Sequence, residues 1–198
     1  MMKRRVGLLG GTFDPVHNGH IAIAKSFLQT DYIDELWILL TPYPPHKEGS
    51  QYAEYSVRLA MTKAAFEHIP NTFVSTIEND LPKPSFTFNT VRHLKQEHTD
   101  KEFFFCLGED SIEKFHTWKY HQEIVDEVFL LAAFRPGYSH DKVHPSILER
   151  TKFVEHEPYK IASSDIRERI KHGEDVDHCI PKEVKAIIEQ EHLYSIES

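Results

Sequence analysis

Cysteine is scarce, with 2 among 198 residues. Cys106 and Cys179 cannot build a disulfide scaffold, and the absence of any CxxC excludes the cysteine-rich zinc patterns. Cys106 lies inside the apolar run Phe103-Phe104-Phe105-Cys106-Leu107 and reads as a buried thiol. Long hydrophobic runs are missing too; none approaches the roughly 20 residues that span a bilayer. After the basic start Met1-Met2-Lys3-Arg4-Arg5, only a handful of apolar residues precede Thr12-Phe13-Asp14-Pro15, too short a core for a signal peptide. The expectation is a soluble, cytoplasmic protein in a reducing compartment, with no membrane partner. Cations are outnumbered: Lys plus Arg is 23 against 31 for Asp plus Glu, a net charge of −8. That argues against a whole-surface grip on nucleic acid while leaving room for a local basic pocket. The sequence contains no internal repeat and no low-complexity tract.

What remains is ordinary globular material, 40% hydrophobic, 27% charged and 12% aromatic, which excludes disorder, collagen and coiled coil. Short apolar runs alternate with amphipathic stretches. Strands are expected at 6–10, 36–40, 72–77, 102–107 and 127–133, and helices at 20–28, 56–66, 87–96, 166–170 and 182–193. Runs such as LWILL (36–40) and FFFCL (103–107) are apolar throughout, as strands buried on both faces are. The pattern predicts one α/β domain over 1–198. It is a Rossmann-like, doubly wound parallel sheet with helices on both faces and a short C-terminal helical segment from about residue 163. The last helix, with Val184, Ile187, Ile188 and Leu193, either closes the core or meets a second copy in a homo-oligomer. Two proline-bearing loops, 41–55 and 80–85, read equally as surface connections or as active-site loops.

The strongest local signal lies between the first strand and the first helix: Gly10-Gly11-Thr12-Phe13-Asp14-Pro15-Val16-His17-Asn18-Gly19-His20. Ligands of open α/β sheets bind at the carboxyl ends of strands. Gly10 and Gly11 let a ligand approach the backbone. The helix start offers free N–H groups, which suit phosphate. His17 and His20, three apart, can face the same side and donate to phosphate oxygens. Neither G-x-G-x-x-G nor G-x-x-x-x-G-K-[ST] is present, so the dinucleotide fingerprint and the P-loop are excluded. A zinc pair at His17 and His20 lacks third and fourth ligands at suitable spacing, and no metal set is expected.

The same stretch resembles the T/HxGH signature of the nucleotidyltransferase superfamily. Further blocks follow in order: Pro44-Pro45-His46-Lys47, Pro84-Ser85-Phe86-Thr87, Gly108-Glu109-Asp110, Trp118, Arg135-Pro136-Gly137 and Ile161-Ala162-Ser163-Ser164-Asp165-Ile166-Arg167. Together they resemble the bacterial nicotinate-nucleotide (nicotinamide-nucleotide) adenylyltransferases over nearly the whole chain. Three positions depart from that family. Phe86 stands where it more often has Tyr, Asn89 where Asp is frequent, and Ala162 where it usually has Ser.

The resemblance implies that ATP, with Mg²⁺, and nicotinate (or nicotinamide) mononucleotide give a dinucleotide and pyrophosphate. It implies His17, His20 and Arg167 as the catalytic set on the ATP phosphates. Gly10, Gly11, Thr12, Phe13, Gly108, Asp110, Ile161, Ser163 and Ser164 complete the ATP site. Asp110 either takes a ribose hydroxyl or caps a helix, and Ser163 and Ser164 both cap a helix and offer its N–H groups. Asp14, His46, Lys47, Thr87, Trp118 and Arg135 form the mononucleotide site. There Trp118 stacks on the pyridine ring or fills the core, Thr87 meets the ring's 3-substituent, Lys47 and Arg135 approach the phosphate, and Asp14 is a ligand or a turn former. Three rivals stay open: a phosphopantetheine adenylyltransferase, a non-catalytic nucleotide sensor, and a dinucleotide-dependent oxidoreductase.

Overall fold

The structure, a computed structural model, describes residues 3–42, 52–84, 86–137 and 139–195. In chain order it contains β1 (Arg4–Gly11), α1 (Asn18–Leu28), β2 (Glu35–Leu40), α2 (Tyr55–Phe66), β3 (Thr72–Ser75), α3 (Ile77–Asp80), α4 (Thr87–Glu97), β4 (Lys101–Gly108) and α5 (Glu109–Lys114). A 3₁₀ turn (Phe115–Thr117) leads to α6 (His121–Glu127), β5 (Phe129–Phe134), α7 (Pro145–Leu148), β6 (Thr151–Glu155), α8 (Ser163–Lys171) and α9 (Lys182–Gln190).

The six strands form one parallel sheet in the order β3-β2-β1-β4-β5-β6. Alternate side chains divide between two cores. Val6, Leu8, Phe103, Phe105, Leu130 and Ala132 enter one, whereas Leu9, Ile38, Phe104, Cys106 and Leu131 enter the other. Both faces are therefore buried, which is why the strands read as continuous apolar runs rather than alternating ones. Val184 and Ile188 of α9 are buried in the second of these cores, so the last helix spends its apolar face closing it.

Several elements differ from expectation. β6 was not anticipated, because TKFVE is short, carries two charges and has neither a continuous apolar run nor a clean alternation. The strand expected at 127–133 begins only at Phe129, because Glu127 ends an unanticipated helix, α6. α1 starts at Asn18 rather than His20 because His17 caps it. Among the described residues, no helix is long and apolar enough to cross a membrane.

The strand order reverses between β1 and β4, and a crevice opens there at the carboxyl ends of both strands. One buried cation holds its rim. Arg58 of α2, 2% exposed, donates through Nε to the Ala53 carbonyl at 3.0 Å and through Nη1 to Thr12 and Thr41 at 2.8 and 2.9 Å. Its Nη2 donates to Pro42 at 3.1 Å. The loops after β1 and β2 are thereby tied to the start of α2. Arg58→Met should leave these buried carbonyls without a donor and cost about 3 kcal/mol. Urea unfolding checks this, and a loss under about 1 kcal/mol contradicts it.

Candidate active site

β1 ends in Gly10 and Gly11, and the chain then turns sharply. Phe13 takes a left-handed conformation (φ 49°), unusual for a bulky residue, and its ring is buried. A side chain at Gly11 would meet that ring at 2.7 Å, so the glycine makes room for Phe13. The Phe13 ring in turn packs edge-on against His20, with centroids 5.0 Å apart.

His17 and His20 cap α1 reciprocally. His17 Nδ1 accepts from the Gly19 N–H at 3.1 Å, and His20 Nδ1 accepts from the His17 N–H at 3.2 Å. The two rings lie 3.7 Å apart. A side chain at Gly19 would press on the His17 ring at 2.9 Å, which explains glycine between the histidines. Burial pulls His17 down to about 4, against a small opposing pull from Asp165, and burial holds His20 well below its ordinary value. Both rings are neutral at pH 7. With each Nδ1 accepting, the proton of each ring sits on Nε2. The pair therefore offers two uncharged donors.

Those donors line a cavity of about 290 Å³ with Gly108, Asp110, Ser111, Arg135 and Tyr159. A second cavity, of about 310 Å³, is lined by Gly10, Gly11, Thr12, Glu78, Thr87 and Trp118 among others. Gly108 and Ser111 border both, so the two meet at the turn from β4 into α5. A larger hollow of about 940 Å³ lies at the opposite, amino ends of β1 and β4. Ion pairs occupy several of its cations, Arg5 with Asp34 and Lys95 with Glu127, and it is remote from the crevice. Among the described residues, no group of three or more His, Cys, Asp or Glu is placed to hold a metal ion.

The structure places the anticipated residues unevenly. His17, His20, Gly108 and Asp110 share the first cavity, and Thr87 and Trp118 share the second. One side of the Trp118 ring packs on Phe105 and Phe115, so it is both core and cavity wall. Gly10, Gly11 and Thr12 line the second cavity rather than the first. His46 and Lys47 lie outside the described residues, as does Ser85.

Other expectations need correction. Arg135 lines the first cavity, beside Glu109 at 3.6 Å, not the second. The Asp14 carboxylate is buried and turned inward, because the Tyr194 hydroxyl donates to Oδ1 at 2.7 Å and the Ala53 N–H at 3.1 Å. Arg167 lines neither cavity; its Nη1 donates to the Asp14 carbonyl at 2.7 Å and lies 3.7 Å from Oδ2. The Phe13 side chain is buried in the core, which leaves only its backbone for a ligand, whereas Ile161 is half-buried against the edge of that core. Asp110 does not cap α5, since Gly108 occupies the N-cap. Nor do the serines cap α8. Its N-cap is Ala162, which has no hydroxyl, and the Ser163 hydroxyl donates instead to the Pro15 carbonyl at 2.9 Å.

His156 also lines the first cavity and Lys119 the second; these two, with Arg58 and Glu78, are site residues that the sequence did not point to. Lys119 sits next to Trp118 and was within reach of that motif. Nothing local marks Arg58, Glu78 or His156, which only the fold brings to the crevice.

Comparison with known proteins agrees with this geometry. The cytidylyltransferase-like family model matches residues 8–169. The chain is 33% identical over 191 residues to the nicotinate-nucleotide adenylyltransferase of Bacillus subtilis strain 168, covering 96% of this chain and 98% of that one. It is 35% identical over 191 residues to a probable nicotinate-nucleotide adenylyltransferase of Bacillus licheniformis, with the same coverage. A solved Plasmodium falciparum nicotinic acid mononucleotide adenylyltransferase complexed with NaAD has the same fold. The TM-score is 0.79, with 19% identity, and the match covers 96% of this chain and 97% of that one.

The neutral histidines have a consequence for stability. The unfolded chain protonates His17 below its ordinary 6.5, whereas the folded chain resists until about 4. Stability therefore falls as pH drops through that window, by up to about 3 kcal/mol from His17. His17→Asn keeps an N-cap but removes the Nε2 donor. It should flatten that part of the pH slope in urea unfolding and lower kcat about 10²–10³-fold. An unchanged slope with unchanged kcat contradicts the assignment.

Proposed function

Because the chain belongs to the cytidylyltransferase-like family and, within it, to the nicotinate-nucleotide adenylyltransferases, we propose that it joins ATP and nicotinate mononucleotide to give nicotinate adenine dinucleotide and pyrophosphate, a step of NAD biosynthesis in the cytoplasm. The observation that carries this reading is the pair of cavities meeting at Gly108 and Ser111. One has two uncharged imidazole donors and a guanidinium, and the other has an aromatic plate and a helix start at Thr87. The first suits a triphosphate and the second a flat ring on a sugar phosphate.

The mononucleotide phosphate is already an anion at pH 7, so no base is needed to create the nucleophile. Its oxygen bonds to the ATP α-phosphorus as the bond from that phosphorus to the bridging oxygen breaks, and pyrophosphate leaves with the electron pair. The protein's task is then to hold two anions in line and to stabilise charge as it shifts toward pyrophosphate. His17 and His20 do this through Nε2–H. Because they are neutral, they add no charge that must be desolvated. Arg135 brings positive charge to the same cavity. Arg167 fixes the β1 loop through Nη1, and the rest of its guanidinium is left for the outer phosphates. The first N–H groups of α8, uncapped at Ala162, point the same way in this reading. The donor set does not fit a resident metal, so Mg²⁺ belongs to this reading only as the ion that accompanies ATP.

A pyrophosphate-release assay with ATP and Mg²⁺ tests this, run with nicotinate mononucleotide and nicotinamide mononucleotide side by side. Release with the first is the expected result, and the rate with the second measures how far the pocket reads the 3-substituent. His20→Ala should reduce release about 10²-fold or more. If neither mononucleotide supports release, the reading fails, and phosphopantetheine is the next acceptor to try.

A further inference from the structure

Glu78 stands on α3, is 7% exposed, and lines the cavity that holds Trp118. The Thr90 hydroxyl donates to its Oε1 at 3.1 Å. Its Oε2 is buried and accepts no well-formed hydrogen bond among the described residues; only the nearby Thr41 hydroxyl draws on it electrostatically. An unsatisfied buried oxygen costs about 1–3 kcal/mol, and a ligand that pairs with it would offset this cost. Around it the cavity is apolar and aromatic, with Leu9, Leu39, Phe86 and Leu107 beside Trp118, and among the described residues no other acid lines it. The cation on the same wall, Lys119, is drawn over the Phe86 and Tyr120 rings, 4.3 and 5.1 Å from their centroids.

A buried carboxyl with a free oxygen and a large aromatic face select for one kind of guest. The indole face attracts a cation through its quadrupole. A carboxylate in a dry wall attracts the same charge more strongly than it would in water. A neutral ring gains from neither. A ring nitrogen that is substituted has no N–H to donate, so its charge is the property left to read.

We propose that Glu78 is a specificity-determining residue that senses the positive charge of an N-glycosylated pyridinium ring in the Trp118 cavity. This rests on the acceptor assigned under the proposed function. Burial pushes the Glu78 carboxyl up, against the opposing pull of the Thr90 and Thr41 hydroxyls. An arriving ring cation adds to that downward pull.

The test compares two ligands of one shape by calorimetry on the full-length chain. One is nicotinate mononucleotide. The other is its C-riboside analogue with a neutral benzene ring, 3-carboxyphenyl C-riboside 5′-phosphate, which keeps the same carboxylate and phosphate. The charged ring should bind about 10-fold or more tightly. Glu78→Gln keeps the shape and an oxygen for Thr90 but removes the charge. It should bring the two ligands within about 3-fold of each other while leaving the ATP Kd unchanged. Equal binding of the two ligands to the unmodified chain overturns the inference without any variant, as does an unchanged ratio in Glu78→Gln. Pyrophosphate release separates the two failures. Turnover with equal binding overturns this inference alone, whereas charge-selective binding without turnover overturns the proposed reaction alone.

Discussion

The loop from Thr12 to His17 has no ladder of its own, so its backbone must be received by groups from elsewhere. A buried carbonyl without a donor is costly, and here three are answered from distant parts of the chain. Arg58 of α2 takes the Thr12 carbonyl, Arg167 of α8 takes that of Asp14, and the Ser163 hydroxyl takes that of Pro15. The loop ends where the Asn18 N–H donates to the Cys179 carbonyl at 2.9 Å. Every other feature of the site follows from this restraint. It holds Phe13 in a left-handed conformation, sets that ring against His20, and starts α1 where two imidazoles can cap it.

The capping explains how an acidic chain makes a place for anions. With net charge −8, its overall field does not favour a triphosphate. The crevice relies on local donors instead. Each histidine uses Nδ1 to satisfy a backbone N–H and has Nε2–H left over. The desolvation that keeps the rings neutral also keeps that arrangement in place across ordinary pH. Charge is added sparingly by Arg135 at the cavity and Arg167 at the loop. The second cavity has the opposite character, apolar with a buried acid, as suits a flat ring.

Much of this was legible in the sequence because it depends on local chemistry. Apolar runs such as FFFCL announced strands buried on both faces, and the glycines and histidines of the first turn marked the loop that the structure places at the carboxyl end of β1. The steric need for glycine between the two histidines shows only in the folded chain. Other features depend on contacts that bridge long separations. Asp14 looked free to bind a ligand until Tyr194, 180 residues away, was seen to donate to it. Arg135, expected near the mononucleotide phosphate, shares the cavity of His17 and His20, because a strand end faces one side of the crevice or the other only once the sheet order is known. α8 was expected to be capped by its serines, but the chain enters one residue earlier, at Ala162. Arg58 and Glu78 were invisible because a buried charge in a helix reads as a solvated one.

The chemistry of the crevice turns on the histidines being neutral and protonated at Nε2. Nitrogen-15 NMR of the imidazole rings reads this directly, with His17 and His20 each assigned by substitution. At pH 7 both rings should show a protonated Nε2 and a bare Nδ1, unchanged down to about pH 6. Doubly protonated rings at pH 7, or protons on Nδ1, would contradict it.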